Sequence, residues 1–125
     1  MGTGAARDAS VRKGDGTIVV DSCRVADTPA TRARGLIGRR HLGAGDGLLI
    51  RPAGAVHTCF MRYPIDAVFL DRELVVVGVA AGMRPWRIAG RRRARAVLEL
   101  AEGESMRRGI DVGARLSLVR ADGIV

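Results

Sequence analysis

The sequence predicts a small α+β fold: a mostly antiparallel β-barrel or curled sheet with one helix packed after the first strand. Three observations carry this. Short runs rich in Val, Leu and Ile recur between Gly, Pro and Asp punctuation. Only residues 28–40 combine a capping signal with apolar positions at helical spacing. Residues 73–80, ELVVVGVA, are apolar on both faces, as in a sheet that closes on itself or is covered twice.

Residues 1–16 are Gly, Ala and charge without periodicity and read as a flexible N-terminal tail. Residues 17–125 then form a single compact β-rich domain, a size at which one core suffices. The first strand is expected over 17–26. Thr28 is a natural N-cap and Pro29 suits the first helical position. Ala30, Ala33, Leu36 and Ile37 share a helical face, and the helix is expected to end near Arg40, its arginines facing the C-terminal dipole favourably. A Gly-rich turn, 42–47, leads to a short strand at 48–50. Further strands are expected at 55–62, 65–71, 73–80, 94–100 and 114–120. A loop over 81–93 and a single helical turn between 101 and 110 complete the order.

The 47% hydrophobic fraction argues against wholesale disorder, while only 3% is aromatic, so the core is aliphatic. Net charge is +8, almost all of it arginine, since Lys13 is the only lysine. Such charge suits a polyanionic partner, and equally reflects a composition rich in Ala, Gly, Val and Arg together. The two cysteines, Cys23 and Cys59, make no Cys-x-x-Cys pair and no disulfide framework. No segment approaches a membrane span and no secretory signal is visible, so a cytoplasmic protein without a transmembrane segment is expected.

The run from His57 to Asp71 is the most informative stretch. Read as a strand, 55–62 places His57, Cys59 and Met61 on one face and Val56, Thr58 and Phe60 on the other. Imidazole, thiolate and thioether form a soft-metal set suited to Cu(I). The competing reading, preferred here, makes Cys59 and Met61 core hydrophobes and leaves no metal. Asp66 stands among Ile65, Ala67, Val68 and Phe69, and a buried carboxylate there needs a partner; Arg34 and Arg62 are the candidates. Glu99 sits in a similar apolar strand. Two such acids in one cavity would suggest acid–base chemistry; two structural ion pairs are the plainer expectation.

Trp86, the only tryptophan, lies in a loop among Met83, Arg84 and Arg87. It either stacks on a ligand or plugs one end of the barrel. Arg91, Arg92, Arg93 and Arg95 are phosphate-contact candidates, or a solvated loop that discourages edge pairing. Walker, GxGxxG, GxSxG, HExxH and zinc-spacing signatures are absent. The histidines are His41 and His57. A Ser-His-Asp set using His57 and Asp66 lacks a nucleophile elbow around any serine.

Several pieces in order make the chain resemble an uncharacterised prokaryotic family catalogued as domain of unknown function 192. They are Thr28-Pro29, Arg34-Gly35-Leu36-Ile37-Gly38-Arg39, Gly45-Asp46-Gly47-Leu48-Leu49, Phe60-Met61, Pro64-Ile65-Asp66 and Val68-Phe69-Leu70-Asp71. Pro85-Trp86, Val97-Leu98-Glu99-Leu100 and Gly109-Ile110-Asp111-Val112-Gly113 complete the set. The resemblance implies a compact β-rich fold with a helix after the first strand, and carries no reaction, cofactor or substrate. Many relatives have Trp before the Met and a small polar turn after it, and many carry an export signal; this chain departs in both respects.

The reading that follows is a non-enzymatic binding or accessory module, with no cofactor, for a protein partner or small ligand. Its site residues are Arg34, His57, Asp66, Trp86 and Glu99. The alternatives are a hydrolase-like enzyme using Asp66 or Glu99 as general base, and a nucleic-acid binder using the 91–95 arginines.

Overall fold

The computed structural model describes residues 7–36 and 42–120. In chain order the elements are β1 (Arg7–Lys13), β2 (Ile18–Ala26), α1 (Pro29–Arg34), β3 (Asp46–Ile50), β4 (Ala55–His57) and β5 (Ile65–Leu70). They continue as β6 (Val76–Met83), β7 (Ile88–Gly90), β8 (Ala96–Ala101), α2 (Glu104–Arg107) and β9 (Leu116–Arg120). Seven strands form one sheet in the order β6-β5-β8-β3-β2-β1-β9, while β4 and β7 pair separately.

The large sheet curls into a half-barrel whose two edges touch at one corner. Val75 and Arg115 form an isolated antiparallel bridge between the segments that lead into β6 and β9. Beside it the Val76 amide donates to Ala114 O at 2.8 Å and the Leu116 amide to Leu74 O at 2.9 Å. Pairing is antiparallel except between β2 and β3, which run parallel and are joined through α1. A parallel pair cannot be joined by a hairpin, so the crossover carries the helix.

Two apolar clusters lie on either side of the sheet. The first draws on all seven strands and includes Val20, Cys23, Leu49, Leu98, Leu100 and Leu118. The second lies on the other face of β3, β5 and β8 and includes Leu36, Ile50, Val56, Met61, Phe69 and Val97. The central strands are therefore buried on both faces, and β5 has no exposed residue along its length. That explains why their sequences are continuous apolar runs instead of alternating ones.

Several sequence expectations are corrected. Residues 7–13, read as part of a flexible tail, form β1, which pairs with both β2 and β9. Ala9 and Val11 are buried while the residues between and beyond them are polar, a pattern too short to register alone. The strand expected over 55–62 stops at His57. The loop expected over 81–93 contains the end of β6 and the short strand β7. The strand placed at 73–80 begins at Val76, after a turn in which Asp71 Oδ1 accepts from the amides of Glu73 and Val75.

The helix begins where expected. Thr28 Oγ1 accepts from the Thr31 amide and Thr31 Oγ1 accepts from the Thr28 amide, both at 3.1 Å, a reciprocal cap around Pro29. It ends sooner, at Arg34, because Gly35 turns with φ 52. None of its six residues is buried. Its expected continuation through Ile37, Arg39 and Arg40, and His41, lie outside the described residues.

Candidate functional site

Glu99 is the centre of the candidate site. It sits in mid-β8, opposite Leu48 of β3 and Ala67 of β5. Paired residues share a face of the ladder, so Glu99 points into the second apolar cluster. It is 2% exposed, and its Oε1 has no hydrogen-bond partner among the described residues. Burial alone pushes its carboxyl up to about 8, so the acid is largely neutral at pH 7. It lines a cavity of about 170 Å³. Apolar walls come from Leu36, Ile50, Val56 and Met61, and polar ones from Arg32, Arg34 and His57. Arg32 contributes a second orphan: its Nε is buried without a partner among the described residues, while its Nη1 donates to Pro52 O at 3.2 Å.

Asp66 is a different kind of acid. Its register partner is Leu100, one position from Glu99, so the two carboxylates project from opposite faces of the sheet. The paired-acid site is thereby corrected. Nor does Asp66 pair with Arg34 or Arg62. Its Oδ2 accepts from the Ser105 hydroxyl at 2.6 Å and the Ser105 amide at 3.0 Å. Its Oδ1 accepts from the Gly82 amide at 2.9 Å. The ladder between β5 and β6 is irregular here, and Gly82 takes a positive φ of 59 that suits glycine. Burial acts to raise the Asp66 carboxyl, but the hydrogen bonds from Ser105, Gly82 and Gly103 outweigh it and hold the group below its ordinary range. Asp66 thus ties β5 to β6 and α2. Beside it Glu104, also buried, is paired with Arg107 and Arg108. Sequence reasoning missed Ser105 and Glu104, whose segment reads as an ordinary polar turn.

The His57, Cys59 and Met61 stripe is corrected as well. After His57 the chain turns at Thr58, so the three side chains do not line one strand face. Met61 is buried in the second cluster, whereas His57 is exposed and its Nδ1 accepts from the Cys59 amide at 3.2 Å. Cys23 and Cys59 do not form a disulfide. Among the described residues no three His, Cys, Asp or Glu side chains gather as a metal site. Nor does Asp66 orient His57 in a Ser-His-Asp set, because its oxygens are taken up by Ser105 and Gly82.

What turns the chain is Thr58, which sequence reasoning passed over. It is fully buried. Its hydroxyl donates to Arg84 O at 2.6 Å and accepts from the Arg87 amide at 2.9 Å. Its amide donates to Arg87 O at 2.9 Å, and its carbonyl accepts from the amides of Met61 and Trp86. One residue therefore clamps the 58–61 turn onto the 84–87 turn. The clamp presents Phe60 and Trp86 side by side, ring centroids 4.7 Å apart. Trp86 is 58% exposed, which settles its position against the barrel-plug expectation. Replacing Thr58 with Val keeps the shape but strands the partly buried Arg87 amide and Arg84 carbonyl. Such groups cost about 1–3 kcal/mol when left unpaired, so Thr58→Val is expected to lower stability by about that amount in urea denaturation.

The loop arginines are partly engaged. The Arg91 guanidinium lies 4.8 Å from the centroid of the Phe69 ring, capping the second cluster. Arg95 Nη1 donates to Ala94 O at 3.0 Å and Arg92 O at 3.3 Å. Arg72, Arg92, Arg93 and Arg95 line a surface hollow together with Asp71 and Glu73. A phosphate there would meet carboxylates as well as guanidinium groups.

Of the five sequence-predicted site residues, the cavity joins Arg34, His57 and Glu99, and leaves out Asp66 and Trp86. No helix among the described residues is long and apolar enough to cross a membrane. The fold matches two solved structures. One is a protein of unknown function from Novosphingobium aromaticivorans, 24% identical, with TM-score 0.75 over 88% of this chain and 83% of that one. The other, from Sinorhizobium meliloti, is called a "putative transcription regulator"; it is 22% identical, with TM-score 0.82 over 98% of this chain and all of that one. At these identities the likeness concerns the fold. No curated protein matches the chain. The family model described as "Uncharacterized ACR" matches residues 9–118, and the chain therefore belongs to the uncharacterised family of domain of unknown function 192.

Proposed function

We propose that the chain is a non-enzymatic binding module whose ligand is a small organic anion held in the Glu99 cavity. The single observation that carries this is the buried Glu99 carboxyl with an oxygen lacking any hydrogen-bond partner among the described residues, facing a cavity with basic side chains in its wall. A carboxyl in that position costs stability that a leucine would not. A neutral acid can donate one hydrogen bond and accept others. Arg32 and Arg34 supply charge for an acid group at the other end of the same ligand, and Arg32 Nε is a donor awaiting an acceptor. About 150 Å³ accommodates a benzene-sized molecule, so the cavity of about 170 Å³ suits a compact hydroxy or keto acid. In this reading α1 and Leu36 serve as one wall of the site, which gives the helix after the first predicted strand its purpose.

The enzyme reading is weaker because Glu99 lacks a second acid in its cavity; Asp66 faces the other way. The test is thermal unfolding with lactate, glycerate, pyruvate and phosphoglycerate as probes. A ligand at ~100 times its dissociation constant adds about 2.7 kcal/mol, roughly 10 °C for a domain of this size. One probe is expected to give a shift of that order, lost in both Glu99→Leu and Arg34→Ala. If no probe moves the transition, or if both variants shift as the wild type does, the cavity is not the site.

A further inference from the structure

Phe60, Trp86 and Ile88 are 66%, 58% and 78% exposed and flank one end of the β4–β7 ribbon, where His57 pairs with Ile88. Large apolar side chains grouped in solvent need an explanation that scattered ones do not. The backbone sharpens the point. Phe60 has φ 69 and Trp86 has φ 63, left-handed values that L-aromatic residues seldom adopt. Rings standing in solvent gain little packing to offset that strain, and strained backbone of this kind is found where the geometry serves recognition. The Thr58 clamp holds both turns in place, so the outward presentation is built into the fold.

The charge around the cluster indicates its partner. Residues 54–64 and 74–93 contain no Asp or Glu. Arg62, Arg84 and Arg87 are exposed within them. We propose that this patch docks the protein on an anionic lipid bilayer, with Trp86 and Phe60 at headgroup depth, Ile88 in the acyl boundary and the arginines against lipid phosphates. Two observations favour lipid over single-stranded nucleic acid. Ile88, the most exposed of the three, has no aromatic face on which a base could stack. The Phe60 and Trp86 rings are tilted by 58° and packed on each other, a wedge instead of two open plates.

Trp86 is the only tryptophan, so its emission reports on this patch alone. Vesicles of phosphatidylcholine with phosphatidylglycerol are expected to shift its emission to the blue and to sediment the protein, less so at higher salt. Pure phosphatidylcholine is expected to do neither. The double variant Phe60→Gly, Ile88→Ser keeps the reporter, and glycine accepts the positive φ without strain. It is expected to unfold at or above the wild-type temperature while partitioning about tenfold or more weakly. Arg84→Gln with Arg87→Gln is expected to weaken binding to anionic vesicles in an intact fold. Absence of a shift with anionic vesicles, an equal shift with neutral ones, or unchanged partitioning of either variant would overturn the proposal. A response to single-stranded DNA but not to vesicles would overturn it in favour of nucleic acid.

Discussion

Raising the pH from about 4.5 to about 8 is expected to weaken this protein steeply, and Glu99→Gln to abolish that loss. The buried Glu99 carboxyl holds its proton up to about 8, whereas in the unfolded chain it releases it near its ordinary value of 4.5. Between those values the folded state binds one more proton than the unfolded state. Stability from this group is full below the lower value, falls across the window, and is flat above the upper one. Each unit of difference carries about 1.4 kcal/mol, so the window holds on the order of 5 kcal/mol. Against a total of about 5–15 kcal/mol for an ordinary domain, that decides whether the fold survives mild alkali. The arginines on the same cavity, Arg32 and Arg34, form no ion pair with it among the described residues, so they do not cancel the effect. Urea midpoints of wild type and Glu99→Gln at pH 5, 6.5 and 8 provide the measurement. Glutamine is expected to match wild type at the acid end and exceed it at the alkaline end. Parallel profiles would mean that Glu99 ionises freely and that the cavity is wet.

Asp66→Ala is expected to be the most destabilising single substitution of a polar residue, by about 3 kcal/mol or more. Alanine would orphan three donors. The Ser105 hydroxyl, the Ser105 amide and the Gly82 amide all end on this carboxylate. Each buried donor left unpaired costs about 1–3 kcal/mol. α2 has only four residues and cannot hold itself together, so it depends on this anchor. Asp66→Asn keeps one acceptor oxygen and turns an N–H₂ toward the other donors, and should fall between wild type and alanine. Ser105→Ala should lose about 1 kcal/mol, the worth of a single hydroxyl bond. Chemical denaturation measures the series, and faster hydrogen exchange of the Arg108 and Ile110 amides would localise the loss. A neutral Asp66→Ala would show that water replaces the carboxylate without penalty. The acid also has the opposite pH signature to Glu99. Its carboxyl is held below the ordinary 3.8 despite burial, so its contribution is present above 3.8 and lost as pH falls through the folded value. Together the two acids place maximum stability between about pH 3.8 and 4.5.

The two acids also show where reading the chain stops. That Asp66 and Glu99 are buried was legible, because each interrupts an apolar run long enough to be a strand covered on both faces. That they never meet was not. Facing depends on a register between strands some thirty residues apart, and sliding one strand by a single residue would bring both acids to one face. The stretch 55–62 misled for a related reason. Its residues favour extended backbone and alternate well, so local propensity predicts a strand. The chain turns because the Thr58 hydroxyl finds backbone groups at 84 and 87, partners that no local pattern reveals. β1 was passed over for the converse reason. Two buried side chains are a faint signal, and the strand exists because β2 and β9 flank it.

By itself, then, the sequence determined the class of fold, the cap at Thr28, the family and the set of residues with no comfortable place in a core. These follow from short-range preferences and from burial, both written in the order of residue types. The tertiary structure alone decided which of those residues share a space. It grouped Glu99 with Arg32, Arg34 and His57, tied Asp66 to Ser105, and set Phe60 beside Trp86 on strained backbone. Those groupings come from register, the curl of the sheet and hydrogen bonds across long separations, where the loop-closure cost depends on chain length but the choice of partner depends on the whole fold.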